Sequence, residues 1–350
     1  MRQKICRAVQ GIGCCFNRPA GAEAKQKPRH GWKMNMDLDG RLICIFGGGG
    51  FLGRYVAQAL LARGARLRIA ERNIKNAIHI KPLGNLGQTQ FASADVTKPA
   101  SVARAVHGCD AVVNLVGVLT GDFTRIHVEG ARNVAEAAAK AGCRTLLHLS
   151  AIGADTASPS RYGRSKGEGE QAVLNAFPDA IILRPSIVFG REDEFINRFA
   201  AMIQMLPIVP VIGSATKFQP VFVGDVADVA AQALSYPDLY AGQTFELGGP
   251  EVISMGDLNR RIASMTGRER TFVDVPDFAA KIMATLLGPL PGAPITADQY
   301  KMLQKDNIVA DGAKGLDAFA VAPTPLAAVA RGWMEKYTAQ GRFGARAKAS

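Results

Sequence analysis

The chain has 350 residues, of which 48% are apolar and 21% charged, and its formal net charge is +12. This length and composition suit one large α/β domain, or one domain with a smaller lobe, and a sizeable buried core. About +10 of the net charge lies in residues 1–35 and 335–350. The nearly neutral centre argues against a nucleic-acid-binding domain, whereas the basic ends could contact an acidic partner or anionic lipid.

The first 38 residues are predicted to be a disordered basic extension. Residues 1–33 are basic and nearly free of acidic residues, as mitochondrial targeting segments are. They lack the Ser and Thr residues that such segments also contain. We therefore favour an extension or an upstream start codon, with Met34 or Met36 as the functional beginning, over a transit peptide. No apolar stretch approaches 18 residues, so no membrane span is predicted.

Apolar segments of strand character alternate with helical patterns from residue 41 onward. These segments are 41–46, 66–70, 89–96, 111–117, 145–150 and 180–189. Strands that alternate with helices in this way predict βαβ units. The expected fold class is therefore α/β, with a Rossmann doubly wound parallel sheet.

The alternation of strand and helix patterns ends near residue 191, which indicates that a second structural unit begins there. We predict a Rossmann NAD(P)-binding domain over residues 39–190, to which residues 218–250 return. Residues 191–217 and 251–330 are richer in Pro, Met and Phe and are predicted to form a smaller, interleaved C-terminal lobe. Residues 331–350 form a basic tail.

A glycine-rich turn follows the first predicted strand. Gly47, Gly50 and Gly53 have the spacing G-x-x-G-x-x-G before an amphipathic helix. The first glycine permits a tight turn, the second lets the backbone approach a pyrophosphate, and the third lets the helix pack on the sheet. The helix start, with Phe51 and Leu52 in its first turn, offers free N–H groups to phosphates. This pattern predicts dinucleotide binding rather than a merely glycine-rich turn.

The end of the second strand bears on which dinucleotide binds. An acidic residue there would bind the ribose 2′-OH of NAD, whereas an arginine would pair with the 2′-phosphate of NADP. The chain has both, Glu71 followed by Arg72. Successive strand residues face opposite ways, so one of the two reaches the ribose. Because a bidentate arginine–phosphate contact is strong, we favour NADP(H) with Arg72. NAD(H), or a solvated surface pair, is the alternative.

Asp95 and Val96 stand at the end of the third predicted strand, where an adenine contact is usual in such folds. An equally good interpretation is that Asp95 caps the following helix. Asp155 is predicted to cap a loop. The segment 150–162 lacks an adjacent Asp-Glu pair, which disfavours sugar-nucleotide dehydration.

Tyr162 and Lys166 lie four residues apart in a helical pattern, so they share one helix face. A lysine ammonium one turn away favours the phenolate of a tyrosine, which otherwise is a poor base at neutral pH. Ser150, at a strand end, could hydrogen-bond the reacting oxygen. Ser150, Tyr162 and Lys166 are thus the candidate catalytic residues. The alternative, which we favour, is that Tyr162 and Lys166 only hold the nicotinamide ribose.

Other reactive residues show no functional spacing. His107, His127 and His148 share no ligand pattern, and we interpret them as packing or surface histidines. The six cysteines show no C-x-x-C spacing, so neither a metal site nor a disulfide framework is predicted.

Residues 277–294 carry a broad apolar stripe on a short predicted helix that Pro289 ends. The stripe consists of Phe278, Ile282, Met283, Leu286 and Leu287. We favour a place in the lobe core. The alternative is an interface with a membrane subunit or with lipid, assisted by the basic tail.

Several of these motifs together resemble the extended short-chain dehydrogenase/reductase superfamily. They are the glycine spacing, "ADV" at 94–96, "NLVG" at 114–117, Ser150 and the Tyr162/Lys166 pair. The chain departs from that superfamily at Phe46, where Thr commonly precedes the first glycine.

Longer stretches are similar to a narrower family, the nucleotide-binding accessory subunit of respiratory complex I (alpha-subcomplex subunit nine) and its bacterial relatives. These stretches are "LRPSIVFGREDEFINRFA" (183–200), "FQPVFVGDVADVA" (218–230), "FELGGPE" (245–251) and "PITADQYKMLQKDNIV" (294–309). The resemblance covers about residues 40–325.

This resemblance implies a tightly held NADPH, a position beside the junction of the peripheral and membrane arms, and little or no turnover. It also implies cofactor contacts at Leu115, Val116, Gly117 and Pro185. We expect a peripheral protein on the cytoplasmic side of a bacterial inner membrane or, alternatively, on the matrix side of the mitochondrial one. A free NAD(P)-dependent oxidoreductase acting on an alcohol or ketone, with Tyr162 as acid/base, is the second hypothesis. A redox-sensing binding protein is a third that no feature favours.

Overall fold

A computed structural model describes residues 37–286, 288 and 295–338. The strands, in chain order, are β1 (Leu42–Phe46), β2 (Arg66–Glu71), β3 (Thr89–Ser93), β4 (Ala111–Asn114), β5 (Thr145–Leu149), β6 (Ile181–Pro185), β7 (Val188–Phe189), β8 (Ile208–Ile212), β9 (Lys217–Phe218), β10 (Val221–Phe222), β11 (Thr244–Leu247), β12 (Ile253–Ser254) and β13 (Thr271–Val275). The α-helices are α1 (Phe51–Ala62), α2 (Pro99–Val106), α3 (Gly130–Lys140), α4 (Arg161–Ala176), α5 (Phe195–Met205), α6 (Val223–Ser235), α7 (Met255–Met265), α8 (Asp277–Leu286), α9 (Ala297–Leu303) and α10 (Leu326–Met334). Short 3₁₀ segments occur at Ile74–Leu83, Pro237–Leu239, Leu316–Phe319 and Glu335–Tyr337, and a π-helical turn, Thr124–Glu129, leads into α3.

Seven of these strands form one sheet in the order β11-β6-β5-β4-β1-β2-β3. Every neighbouring pair in it is parallel. Six strands have the doubly wound dinucleotide-binding order, and β11 extends the sheet beside β6. All five residues of β1 are buried, because helices cover both faces of a parallel sheet. The predicted fold class is confirmed.

The two faces of the sheet have separate cores. On one face α1 and α6 pack on strand residues such as Ile45. On the other face α2, α3 and α4 pack on Phe46 and Val112. Since strand residues alternate in direction, the neighbours Ile45 and Phe46 belong to opposite cores.

The sheet changes direction between β1 and β4, which lie side by side with Phe46 opposite Asn114. In open α/β sheets, ligands bind outside the carboxyl ends of the strands at such a switch point. The predicted strands 111–117 and 89–96 end earlier than expected, at Asn114 and Ser93, because their pairing with the neighbouring strands stops there.

A third core lies in the C-terminal part of the chain. There α5, α7 and α10 pack around buried residues such as Ile196, Leu258 and Ala330, and β8 pairs with β13 in parallel. The predicted strand 180–189 divides into β6 and β7, because β7 leaves the main sheet and pairs with β10.

The apolar stripe of α8 is not core. Phe278 and Leu286 are each 70% exposed and Ile282 is 53% exposed. The residues that α8 buries are Ala280 and Ala284. The core interpretation is therefore wrong for the three large side chains, because the helix packs through its small residues instead.

Some predictions fall outside the described residues. They concern the N-terminal extension with Met34 and Met36, the positions of Leu287 and Pro289, and the basic tail beyond residue 338. Among the helices that are described, none combines the length and apolar character needed to cross a bilayer.

Candidate functional site

The glycine turn joins β1 to α1 at the crevice. Gly47 has a φ of +78°, a left-handed conformation that favours glycine. A Cβ on Gly53 would collide with the carbonyl oxygens of Gly47 and Gly48. A Cβ on Gly50 would meet only the Gly47 oxygen, at 3.4 Å. Glycine at 53 is thus required by the fold, whereas glycine at 50 leaves the outer side of the turn accessible to a ligand.

The start of α1 is suited to an anion. Gly50 is the N-cap residue and no described side chain caps the helix, so its first N–H groups lack side-chain partners. The first turn, which includes Phe51 and Leu52, contains no acidic residue. The helix dipole and these N–H groups together favour a phosphate at this position.

Glu71 and Arg72, at the end of β2, have different surroundings. Glu71 accepts a hydrogen bond from the Gly49 N–H through Oε1 at 2.8 Å, so its carboxylate braces the glycine turn. Arg72 is exposed and makes no hydrogen bond to any residue within the described ranges. Its positive charge contributes to the lowered pKa of Asp95. The Glu71 carboxylate is therefore occupied by a hydrogen bond within the protein, whereas the Arg72 guanidinium is not.

Asp95 holds a turn rather than a helix end. Its Oδ1 accepts hydrogen bonds from Thr97 N, at 3.0 Å, and from Thr97 Oγ1, at 2.8 Å. Burial raises the pKa of this carboxyl, but the hydrogen bonds from Thr97 and the charges of Lys98 and Arg72 together leave the pKa below its ordinary value. Because the N-cap of α2 is Lys98, the helix-capping interpretation of Asp95 is wrong. Val96 is buried, and its carbonyl accepts a hydrogen bond from Asn133.

The turn after β4 lies between the glycine turn and α4. Leu115 N–H donates to the Phe46 carbonyl at 3.0 Å, and a Cβ on Gly47 would lie 3.2 Å from the Leu115 carbonyl carbon. On its other side, a Cβ on Gly117 would lie 3.3 Å from Lys166 Nζ. The turn that contains Val116 therefore connects the two halves of the crevice.

Tyr162 and Lys166 lie on α4 and face this crevice. Lys166 Nζ donates to the Leu149 carbonyl at 3.1 Å and lies 6.0 Å from the centroid of the Tyr162 ring. Burial lowers the pKa of Lys166 to about 8 and raises that of Tyr162 to about 12. In this arrangement the phenol is protonated at neutral pH, which is the opposite of an activated base.

Ser150 follows β5 at the same edge of the sheet. Its side chain is buried, and its Oγ has no hydrogen-bond partner in the described part of the chain. A buried hydroxyl without a partner costs free energy, so this oxygen fits a bound polar group. At the end of the neighbouring β6, the Pro185 carbonyl accepts a hydrogen bond from Ile152 N–H at 3.0 Å. Ser150 and Pro185 thus belong to one edge of the crevice.

No group of three or more His, Cys, Asp and Glu side chains suited to a metal ion occurs among residues 37–286, 288 and 295–338. Over the same ranges, Cys44, Cys109 and Cys143 are free thiols.

The comparisons with known proteins agree with this geometry. The model of the NAD dependent epimerase/dehydratase family matches residues 43–248. NADH dehydrogenase (ubiquinone) 1 alpha subcomplex subunit 9, mitochondrial, of Rattus norvegicus is 36% identical over 306 residues, which cover 85% of this chain and 80% of that protein. The chain belongs to the epimerase/dehydratase family and, within it, to the subunit 9 family.

Other members and neighbours show how widely this fold is used. Ceramide reductase of Caulobacter vibrioides is 31% identical over 197 residues, which cover 55% of this chain and 61% of that protein. The structure of an NADPH-dependent quinone oxidoreductase from Escherichia coli, complexed with NADPH, matches with a TM-score of 0.67 at 21% identity, covering 82% of this chain and 97% of that one. This structural likeness concerns the fold, which in the epimerase/dehydratase family is a nicotinamide dinucleotide-binding fold.

His127 is buried in this subunit 9 family member, as the packing interpretation requires, but the sequence did not indicate that it packs beside Tyr162. Its Nε2 accepts a hydrogen bond from Val118 N–H at 2.9 Å, and its Nδ1 lies 2.9 Å from Ser165 Oγ, which donates to the Tyr162 carbonyl. Burial and the charge of Lys166 lower the pKa of His127 to about 3, so the ring is neutral. His127 fastens the turn after β4 to α4.

The other histidines and Asp155 have simpler surroundings. His148 is buried, its Nδ1 lies 3.2 Å from Asn114 Nδ2, and burial lowers its pKa to about 3. Asn114 Oδ1 also accepts a hydrogen bond from Val116 N–H, at 3.2 Å. His107 is exposed. Asp155 Oδ1 accepts a hydrogen bond from Ala157 N–H at 2.9 Å, as the loop-cap prediction requires.

Proposed function

We propose that the protein is an NADP(H)-binding accessory subunit of respiratory complex I that keeps its nucleotide bound. The observation that carries this proposal is its 36% identity to a mitochondrial complex I subunit 9 over 80% of that protein's length. The crevice supplies the physical reason for a bound nucleotide, because it combines an uncapped helix start, a glycine turn and a buried lysine.

Each part of the nucleotide has candidate partners in the crevice. The pyrophosphate would lie on the glycine turn and the first turn of α1, and the adenine beside Asp95 and Val96. The nicotinamide ribose would be held by Tyr162 and Lys166, and the nicotinamide would face the strand ends. The residues at those strand ends are Leu115, Val116, Gly117, Ser150 and Pro185.

The surroundings of β2 favour NADP(H) over NAD(H). An acid that bound the ribose 2′-OH would have to direct its carboxylate to the ribose. Glu71 instead braces the Gly49 N–H. Arg72 is exposed beside it and is free to pair with a 2′-phosphate.

The arrangement of α4 suits holding the nucleotide. Bound NADP(H) would supply hydride chemistry, for which a protonated Tyr162 could act as a proton donor but not as a base at neutral pH. The Tyr162 hydroxyl and the Lys166 ammonium, which donates to a backbone carbonyl, can each hydrogen-bond a ribose hydroxyl without any turnover.

We further propose that the protein lies beside the junction of the peripheral and membrane arms of complex I. The exposed side chains of α8, Phe278, Ile282 and Leu286, are candidates for contact with a membrane subunit or with the lipid surface. Its side of the membrane would be cytoplasmic in a bacterium and the matrix in a mitochondrion.

Purification of the tagged chain from detergent-solubilised membranes tests this function. We expect other subunits of the NADH:quinone reductase to co-purify, together with NADP(H) in a near one-to-one ratio to the chain. Purification of the chain alone, or with no nucleotide after mild washing, would contradict the proposal.

A second function, carbonyl reduction by a free enzyme, is favoured by one observation. Ser150 Oγ is buried and unpartnered within the described residues, where a substrate oxygen could bind. A relative that is 31% identical is a ceramide reductase. Oxidation of NADPH by the purified protein with a long-chain carbonyl compound would support this alternative.

A further inference from the structure

Asp298 belongs to α9, in the C-terminal part of the chain, but its carboxylate lies at the start of α4. Its Oδ1 accepts a hydrogen bond from Arg161 N–H at 2.6 Å. Its Oδ2 accepts hydrogen bonds from Tyr162 N–H and from Ser160 Oγ, both at 3.0 Å. One carboxylate therefore takes three donors from the first turn of the helix that carries Tyr162 and Lys166.

This contact completes the cap of α4. Ser160 is the N-cap residue, and its Oγ accepts a hydrogen bond from Gly163 N–H. The N–H groups of Arg161 and Tyr162 would otherwise lack acceptors, since the first N–H groups of a helix have no partner within the helix. A negative carboxylate at this end also complements the helix dipole.

The same segment is attached to the crevice at further points. Lys301 Nζ donates to the Pro159 carbonyl at 3.4 Å. Asn307 Nδ2 donates to the Ile152 carbonyl at 3.3 Å, and its Oδ1 accepts from Ser186 Oγ at 2.7 Å. Residues 295–309 thus contact both ends of the connection between Ser150 and α4.

We infer that Asp298 is a positioning residue for the nicotinamide half of the cofactor site. By fixing the first turn of α4, it sets where the Tyr162 hydroxyl and the Lys166 ammonium lie. The inference rests on the proposed nucleotide binding and adds to it a dependence on a residue outside the matched range 43–248 of the epimerase/dehydratase family model.

The test compares two ligands in variants of the full chain. NADPH reaches α4, whereas 2′-phospho-ADP, which lacks nicotinamide and its ribose, does not. We expect Asp298→Ala to weaken NADPH about tenfold or more, because charged hydrogen bonds are lost, and to change the affinity for 2′-phospho-ADP less than about twofold. Asp298→Asn, which retains one oxygen acceptor, should lie between wild type and Asp298→Ala.

Asp225→Asn is the matched control. Like the half-buried Asp298, the buried Asp225 joins distant segments, since it accepts hydrogen bonds from Thr324 N and Thr324 Oγ1, both at 2.7 Å. We expect this variant to lower the melting temperature without changing the ratio of the two affinities.

Two results would overturn the positioning role. One is an equal loss of affinity for both ligands in Asp298→Ala and Asp298→Asn, and the other is unchanged NADPH affinity in both. If the wild-type protein binds neither ligand, the proposed nucleotide binding itself is wrong, and the inference falls with it.

Discussion

The two halves of the crevice are built in different ways. In the glycine-turn half, backbone conformation determines the geometry. Gly47 permits the turn of the chain, and Gly53 lets α1 lie close to that turn. In the α4 half, side chains from distant segments meet, among them His127 and Asp298. The first half is therefore specified mainly by a continuous stretch of chain, and the second exists only after the whole fold has formed.

The two halves also differ in how their binding groups depend on pH. The glycine turn presents backbone N–H groups to a ligand, and such groups keep their chemistry at any ordinary pH. The α4 half contains groups whose pKa values burial has moved, to about 8 for Lys166 and about 3 for His127. We therefore expect substitutions in the first half to act through shape and those in the second half to act through hydrogen bonds and charge.

The largest effect is expected from the glycine pair. Gly50→Val should weaken NADPH about a hundredfold, because a side chain there would occupy the pyrophosphate position and overpacking costs about 1–3 kcal/mol. The melting temperature of the nucleotide-free protein should change little, since the Gly50 Cβ position meets only one protein atom within 4 Å.

Gly53→Val is the matched variant, and it should lower both the affinity and the melting temperature, because its Cβ would collide with the Gly47 carbonyl. Fluorescence titration and thermal unfolding measure the two quantities. A Gly50→Val protein that binds NADPH normally would show that the pyrophosphate lies elsewhere.

A smaller and more selective effect is expected at Arg72. Loss of a charged hydrogen-bond pair costs about 1.5–3 kcal/mol, so Arg72→Ala should weaken NADPH roughly ten- to a hundredfold. NADH affinity should change little, because NADH has no 2′-phosphate. Titration of both nucleotides against wild type and Arg72→Ala provides the measurement, and equal losses for both would exclude a 2′-phosphate contact.

The α4 half predicts a pH dependence of stability. His127 has a folded pKa of about 3, below the value of about 6.5 expected in the unfolded chain. The unfolded state therefore binds more protons below pH 6.5, and the contribution of His127 is complete above that pH and is lost as pH falls from 6.5 towards 3. At pH 5 the loss is about 2 kcal/mol in the free energy of unfolding.

Urea unfolding at pH 7 and pH 5 measures this loss. His148 has the same lowered pKa, so His127→Gln should remove about half of the loss that the two histidines cause. A pH dependence that is the same in His127→Gln and wild type would show that His127 is not held neutral in the fold.

The parts of the molecule that the sequence predicts are those encoded locally. The strand before Gly47, the helix after it and the four-residue spacing of Tyr162 and Lys166 are patterns within short stretches, and the sheet confirms them. The hydrogen bonds of His127 and Asp298 have no such pattern, because their partners lie 38 and 136 residues away, respectively. The sequence could not decide whether the apolar face of α8 is buried or exposed, because an apolar stripe does not indicate what covers it.

The proposed function requires that the protein holds its nucleotide and does not turn it over. Tyr162→Phe separates these two roles, with Lys166→Ala as the control that removes the buried ammonium from the crevice. Both variants would be expressed in place of the wild-type chain, and NADP(H) content and NADH:quinone activity would be measured in the assembled complex.

We predict that Tyr162→Phe retains nearly all of the bound nucleotide and of the NADH:quinone activity, because it removes one neutral hydrogen bond while the Lys166 ammonium and the pyrophosphate contacts remain. Lys166→Ala, which removes the charged contact, should be depleted of nucleotide. The claim would be contradicted if the purified wild-type protein oxidised NADPH with a carbonyl compound and Tyr162→Phe slowed that turnover about a hundredfold or more, as the loss of a general acid would.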